Sequence, residues 1–347
     1  MQLHSLVTAS PPTVFTQRQC AEIAKSEGIA SRLNRRSQLI LRSILSGDSG
    51  IDERHFALTD IPGVFDYSAD ALNDVFRREA PALAGKTLLA ALGKAGVKPG
   101  DLDALFICTC TGYLCPGVTS YVAEQLGLRP DAVLHDIVGH GCGAAIPMLR
   151  AANAYLRAEP EAVVATVAVE ICSAAFYLDD DPGVLISACL FGDGAAAAVW
   201  KSSAGEYGLR CRDFSTVHRP EHRDEIRFEQ RQGKLRNLLL PSVPGLAAAA
   251  VGDLFEAEKK RPGAARIAEI AAHPGGREVI AAVAARLPEF NFDAGRRVLR
   301  ANGNMSSPSV LFVLDDLLKQ GRPRAGEDWW LVSFGAGFAA HACRFGV

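Results

Sequence analysis

The chain has 347 residues, of which 48% are hydrophobic and 22% charged, as in a globular protein with a large core. Its net charge of −2, with acidic and basic residues interspersed, argues against a nucleic acid or an anionic membrane surface as a partner. No apolar run continues for the roughly 18 residues of a membrane helix without Gly, Pro or charge, so we expect a cytoplasmic protein without integral membrane association.

Helical and strand periods alternate along the first part of the chain, which predicts an α/β protein. Amphipathic or small-residue helices are predicted at residues 71–95, 118–126 and 142–156. Short apolar runs predict strands at residues 104–111, 132–138 and 162–172.

The second part repeats this order, with strands predicted at 266–273 and 329–334 and helices at 276–287 and 306–319. Both GHGCGAAIPMLRAANAYL and ANGNMSSPSVLFVLDDLL place a Gly-rich turn before a closely packed helix, which suggests an internal duplication. The segment 218–236 is dense in charges of both signs and poor in core residues. It predicts a division into two halves, residues 1–217 and 218–347.

Cys142 is the first candidate for chemistry, because it follows Gly139, His140 and Gly141 and opens an Ala-rich helix. A thiol at a helix N-terminus is expected to have a pKa below its free value of about 8.5 and to attack thioesters as a thiolate. A small buried cysteine that only packs would fit the same segment.

His273 and Asn304 are the candidates for its partners. His273 ends an apolar strand in AAHPGG, although a structural histidine would also fit there. Asn304, in NGNMSS, would serve equally as an N-cap or turn residue. Together the three residues supply a nucleophile, an imidazole and an amide donor. The two donors would stabilise the enolate of decarboxylating malonyl-CoA, which would then attack an acyl group on Cys142.

Five segments in order resemble the chalcone and stilbene synthase family, the type III polyketide synthases of the thiolase superfamily. They are HGCGAA, LFGDGAAA, AHPGG, GNMSSPSVLF and SFGAG. The resemblance covers nearly the whole chain and implies a duplicated, five-layered αβαβα thiolase fold, a homodimer, and Cys142, His273 and Asn304 as catalytic triad. It also implies an acyl-CoA starter and malonyl-CoA as substrates, with no cofactor and no metal.

The same resemblance indicates a substrate cavity. Phe191 would orient the malonyl group, Gly335 lies in the glycine loop, and Cys115 would cross the dimer interface. Asn237 stands where plant enzymes carry a second phenylalanine. The other cavity positions are Cys110, Thr111, Cys172, Ala175 and Ser306. Because several are small, we expect room for a bulky or long chain, and favour a fatty-acyl starter giving an alkylpyrone or alkylresorcinol.

Other features leave alternatives open. Arg35, Arg36 and Arg42 are candidates for binding CoA phosphates, although a solvated helix face explains them equally. Cys108, Cys110 and Cys115 lack the spacing of a metal site. The competing functions are a ketoacyl-carrier-protein synthase that initiates fatty-acid synthesis, a cysteine thioesterase, and a catalytically idle thiolase-fold partner.

Overall fold

The computed structural model describes residues 1–261 and 266–346. Its strands are β1 Gln2–Ala9, β2 Thr13–Thr16, β3 Glu53–Phe56, β4 Ala104–Cys108, β5 Val133–Ile137, β6 Val164–Glu170, β7 Gly194–Lys201, β8 Arg210–His218, β9 Ile226–Arg231, β10 Lys234–Leu239, β11 Arg266–Ala272, β12 Glu327–Gly335 and β13 Ala339–Gly346. Its helices are α1 Gln17–Ala24, α2 Glu27–Ala30, α3 Arg35–Ser46, α4 Ala69–Lys94, α5 Val118–Leu126, α6 Ala145–Ala158, α7 Pro182–Leu190, α8 Val243–Lys259, α9 Arg277–Arg286, α10 Asp293–Asn302 and α11 Ser309–Gln320.

Nine strands form one mixed sheet in the order β11-β12-β13-β8-β1-β7-β6-β4-β5. Parallel pairs join β4 to β5 and β6, and β11 to β12, while the remaining pairs are antiparallel. The inner strands β6 and β7 are buried on both faces, so their sequences show no alternation of apolar and polar residues.

The sheet folds around α6 and α11, because each helix contacts strands from both halves of the sheet. Helix α6 packs on β4 and β6 and also on β12 and β13, and α11 packs on β1 and β7 as well as β11 and β12. Helices α4 and α5 cover one outer face, and α8 covers the other with α9 packed beside it. This arrangement gives five layers with the order helix, sheet, helix, sheet, helix.

The charged segment 218–236 contains the end of β8, a short turn and most of the β9–β10 hairpin. Arg236 anchors this hairpin through ion pairs with Glu229 at 2.9 Å and with Asp179 at 2.7 Å in the loop before α7. Strand β8 belongs to the common sheet and crosses the sequence position 217/218. The division into two halves at that position stays a prediction.

No helix within the described parts of the chain is both long enough and apolar enough to span a bilayer.

Candidate active site

Cys142 lies in a tight turn, Gly141–Gly143, that precedes α6. Gly141 has a φ of 55°, which favours glycine. Gly335, at the end of β12, lies directly against this turn, since a Cβ atom there would come within 2.5 Å of the Gly143 nitrogen. The Ser333 hydroxyl donates a hydrogen bond to the Gly143 carbonyl at 3.1 Å. The C-terminal strand pair therefore fixes the nucleophile candidate.

Burial raises the pKa of the Cys142 thiol to about 12, and the charge of Glu170 adds to the rise. A hydrogen bond from the Ser306 hydroxyl to Sγ, at 3.3 Å, acts in the opposite direction. The sequence-based expectation of a lowered pKa is therefore wrong. Helix α6 begins only at Ala145, and the desolvation of a thiolate in this apolar setting exceeds any effect of the helix N-terminus.

His273 follows β11, and its backbone N–H donates to the Val332 carbonyl at 2.9 Å. Its ring packs edge-to-face on Phe334, with centroids 5.3 Å apart. Burial lowers the pKa of the imidazole to about 3, so the ring is neutral at physiological pH. Nδ1 is buried and has no hydrogen-bond partner among the described residues. A neutral imidazole carries one N–H, which is the donor that it can offer to a substrate.

Asn304 lies between α10 and α11 and is held at four points. Its backbone N–H donates to the Leu190 carbonyl at 2.9 Å, and its own carbonyl accepts from Gly192 at 3.0 Å. The side-chain oxygen accepts from the Ser306 N–H at 2.8 Å, and Nδ2 donates to the Gly275 carbonyl at 3.0 Å. The amide has a second hydrogen, which has no partner among the described residues and is available to a ligand.

Cys142, His273 and Asn304 line one cavity of about 570 Å³, here called the outer cavity, together with Phe191 and Phe334. The sequence placed these three candidates in segments far apart, and the fold brings them together. Because the walls are largely apolar, hydrogen bonds made inside this cavity are stronger than in water.

Phe191 also borders a second, inner cavity of only about 20 Å³. Five predicted cavity residues line it: Thr111, Cys172, Ala175, Asn237 and Ser306. Phe176, Tyr177 and Phe228 also line this space, so the room expected from the small residues is not found in it. These three aromatic residues were not predicted from the sequence. A volume of this size holds about one water molecule.

A third cavity of about 490 Å³ shares Thr111 and Phe228 with the inner cavity. Cys110 lines it, and the Cys110 sulfur lies 3.1 Å from the Ser306 hydroxyl oxygen. Tyr113 and Val138 lie at its exposed side. Phe228, on β9, therefore lies at the border between the inner cavity and this third cavity, as does Thr111.

Residues 13–212 match the family model described as FAE1/Type III polyketide synthase-like protein, and residues 219–343 match the chalcone and stilbene synthases, C-terminal domain. The chain belongs to the type III polyketide synthases. It is accordingly an acyltransferase of the polyketide synthase class.

Bacterial members of the family are similar over nearly the full length of this synthase. The 3,5-dihydroxyphenylacetyl-CoA synthase of Streptomyces toyocaensis is 30% identical, over 95% of this chain and 86% of that protein. The 1,3,6,8-tetrahydroxynaphthalene synthase of Streptomyces peucetius subsp. caesius is 29% identical, over 96% of this chain and 89% of that protein.

Solved structures agree on the fold. The 1,3,6,8-tetrahydroxynaphthalene synthase of Streptomyces coelicolor superposes with a TM-score of 0.88 at 24% identity, covering 99% of each chain. PKS-I from the brown alga Ectocarpus siliculosus gives 0.88 at 26% identity, covering 99% of this chain and 97% of that one. The five-layered arrangement of the synthase is thus the thiolase fold, as the sequence predicts.

Glu170, at the end of β6, organises the floor of the site and was not predicted. Its Oε2 accepts hydrogen bonds from the hydroxyls of Thr109 and Thr111 and from the backbone N–H groups of Cys110 and Thr111. Its Oε1 accepts from the Ser307 hydroxyl at 2.6 Å. The one feature of the sequence that could have indicated Glu170 is that a carboxylate ends the apolar run VATVAVE. A buried charge in such a run needs several donors around it.

The remaining predicted residues do not line any of these three cavities. Arg35, Arg36 and Arg42 are exposed on α3 and do not line the outer cavity. Cys115 is an exposed free thiol before a cis Cys115–Pro116 bond. Within the described residues, no group of three or more His, Cys, Asp or Glu side chains is placed to hold a metal ion.

Proposed function

We propose that the synthase loads a short acyl starter from CoA onto Cys142, extends it with malonyl-CoA and cyclises the product to a resorcinol-type ring, with a pyrone as the alternative outcome. The observation that carries this proposal is that two neutral donors, His273 and the Asn304 amide, line the same apolar cavity as the Cys142 thiol.

In the loading step, the Cys142 sulfur attacks the thioester carbonyl while its proton passes to His273. The C–S bond to CoA then breaks, and His273 returns the proton to the leaving sulfur, so that free CoA departs as a thiol. A neutral thiol and a neutral imidazole suit this sequence, because no net charge has to be buried before the substrate arrives.

In the extension step, the thioester oxygen of malonyl-CoA accepts hydrogen bonds from His273 and Asn304. Carbon dioxide leaves and its bonding electrons form an enolate, whose negative oxygen these donors stabilise. The enolate carbon attacks the acyl carbon on Cys142, the C–S bond breaks, and the extended chain is left on CoA. The Cys142 sulfur leaves as a thiolate, which takes a proton from water to restore the thiol. The chemistry is a decarboxylative condensation and requires no redox cofactor.

The short starter follows from the inner cavity, which is too small for an alkyl chain. The relatives point to the ring type through their printed products, since 3,5-dihydroxyphenylacetyl-CoA and 1,3,6,8-tetrahydroxynaphthalene both contain a 1,3-dihydroxylated benzene ring. A long-chain starter, as first favoured from the small cavity residues, would have to displace Phe228 and enter the third cavity.

We also propose a homodimer in the cytoplasm. Strand β5 ends the sheet, and Tyr113, Leu134 and Val138 are exposed near it. An uncovered edge strand with apolar neighbours favours association. A second copy that paired there would cover the exposed side of the third cavity and lie beside Cys115.

The test compares the wild type with Cys142→Ala, His273→Ala and Asn304→Ala, using labelled malonyl-CoA and a panel of acyl-CoA starters. We expect Cys142→Ala to form no carbon–carbon bond but still to convert malonyl-CoA into acetyl-CoA, because both enolate donors remain. His273→Ala and Asn304→Ala should lose most of that decarboxylation. Free acid without acetyl-CoA or ring products would instead identify a thioesterase.

A further inference from the structure

The β9–β10 hairpin forms part of the wall of the inner cavity without belonging to the nine-stranded sheet. Among the described strands, β9 and β10 pair only with each other. They contribute Phe228 and Asn237 to the lining, and Tyr177, Phe191 and part of α7 supply other parts of it. The volume of the inner cavity therefore depends on how closely the hairpin lies against α7.

Arg236, on β10, joins the hairpin to the start of α7 through three carboxylates. Its Nε donates to Asp179 at 2.7 Å and its Nη1 to Glu229 at 2.9 Å, while its Nη2 lies 3.3 Å from Asp181 Oδ2. The arginine side chain is only 8% exposed, whereas those of the three carboxylates are 26–36% exposed. Arginine suits this position because each nitrogen of its planar fork meets a different carboxylate, which the single ammonium of lysine cannot do.

Asp181 connects the same guanidinium to the first turn of α7. It is the N-cap residue of this helix, and its Oδ1 accepts a hydrogen bond from the Gly183 N–H at 2.8 Å. The hairpin backbone comes close at this point, since a Cβ atom at Gly183 would lie 2.6 Å from the Leu239 carbonyl oxygen. Arg236 thus ties β10 to the beginning of a helix that lines the inner cavity.

Removing the cation would make this contact repulsive. Glu229 lies on the hairpin, whereas Asp179 and Asp181 belong to the segment that leads into α7. Carboxylates that share one buried cation repel one another without it, because their partial burial weakens the screening by water. Arg231 is 58% exposed and 4.0 Å from Asp179, too distant and too solvated to replace Arg236. Loss of Arg236 should therefore move the hairpin away from α7 and enlarge the inner cavity.

We propose that Arg236 is a positioning residue that determines starter specificity: by holding the β9–β10 hairpin against α7, it keeps the inner cavity closed to long acyl chains. The inner cavity begins beside the nucleophile, because Ser306 lines it and the Ser306 hydroxyl lies 3.3 Å from Cys142 Sγ. This inference rests on the proposed function, in which the starter is held on Cys142.

The experiment compares the wild type with Arg236→Met by the consumption of acetyl-CoA and dodecanoyl-CoA in the presence of malonyl-CoA, with products identified by mass spectrometry. The ratio of kcat/KM for dodecanoyl-CoA to that for acetyl-CoA should rise about tenfold, because a steric limit on the chain is relieved. Arg236→Lys keeps the cation but cannot meet three carboxylates, and it should restore part of the wild-type ratio. Arg223→Met, which removes an exposed arginine from the turn before β9, is the matched control and should leave the ratio unchanged.

Asp181→Asn tests the same contact with less risk to folding. Asparagine caps a helix as well as aspartate does, so α7 keeps its N-cap while one ion pair of Arg236 is lost. The ratio should rise about two- to threefold, as expected for the loss of one partly exposed ion pair. If Arg236→Met does not fold, an unchanged ratio in Asp181→Asn overturns the proposal.

The outcomes distinguish the failure of this proposal from the failure of the proposed function. An unchanged ratio in folded Arg236→Met, or equal losses with both starters, would show that Arg236 only stabilises the fold and would overturn its role in specificity. A raised ratio with release of free acid and no new carbon–carbon bond would support that role, while overturning the proposed function in favour of a thioesterase.

Discussion

Because the Cys142 thiol is protonated at neutral pH, its reactivity is expected to depend on pH. Since burial raises the pKa of its thiol to about 12, the reactive thiolate is scarce at neutral pH and increases about tenfold per pH unit below that value. We expect the rate of alkylation of Cys142 by iodoacetamide to rise steadily from pH 7 to 10 without a plateau. Peptide mass spectrometry distinguishes Cys142 from the exposed Cys115. A rate that is already constant near pH 7 would indicate a preformed thiolate–imidazolium pair.

Glu170 gives a second prediction at the scale of one residue. Glu170→Ala leaves the surrounding N–H and hydroxyl donors without an acceptor, and we expect it to lower the free energy of unfolding by about 3 kcal/mol or more. Glu170→Gln keeps one acceptor oxygen and can donate to Ser307, so it should cost clearly less. Chemical denaturation measures both variants, and equal losses would mean that the volume of the side chain, not its oxygens, matters.

At the scale of elements, the β9–β10 hairpin sets the depth of the substrate site, because it carries both Phe228 and Asn237. Phe228→Ala should join the inner cavity to the third cavity, and we expect kcat/KM for a long-chain acyl-CoA starter to rise about tenfold or more. Phe176→Leu also enlarges the inner cavity but does not open it to the third, and serves as the control. No gain with Phe228→Ala would show that the third cavity is not an acyl site.

The residues and strands that could be predicted are those marked by a short stretch of sequence around them. Glycine-rich turns before packed helices mark Cys142 and Asn304, and AAHPGG marks the end of β11, so the sequence alone suggests all three candidates. Strand β7, GAAAAVWK, was not predicted, because alanine favours helices and a strand buried on both faces shows no alternation. The role of Phe228 depends on contacts between distant segments that no local pattern reveals, whereas Glu170 leaves one local signal, a carboxylate that ends an apolar run.

At the scale of the whole molecule, the open edge of the sheet predicts the assembly. Tyr113, Leu134 and Val138 have exposed fractions of 74%, 36% and 46%. Leu134 lies on the terminal strand β5, Val138 follows that strand, and Tyr113 lines the third cavity together with Val138. Burying such apolar side chains against a second copy would contribute about 25 cal/mol per Å² of apolar surface removed from water. The backbone groups of β5 would also gain partners across a continuous sheet.

We therefore expect Leu134→Lys/Val138→Lys to shift the synthase from a dimer to a single 36.9 kDa chain in sedimentation velocity. A lysine on an edge strand opposes pairing, because its charge would be buried against an identical charge from the other copy. Leu39→Lys, at a leucine on α3 that is 57% exposed and distant in sequence from β5, is the matched control and should leave the dimer intact. Since the third cavity opens beside Val138, the double variant should also expose Cys110 to alkylation more readily than Leu39→Lys does. A variant that stayed dimeric would place the interface on another surface, and Cys110 would then be no more reactive than in the control.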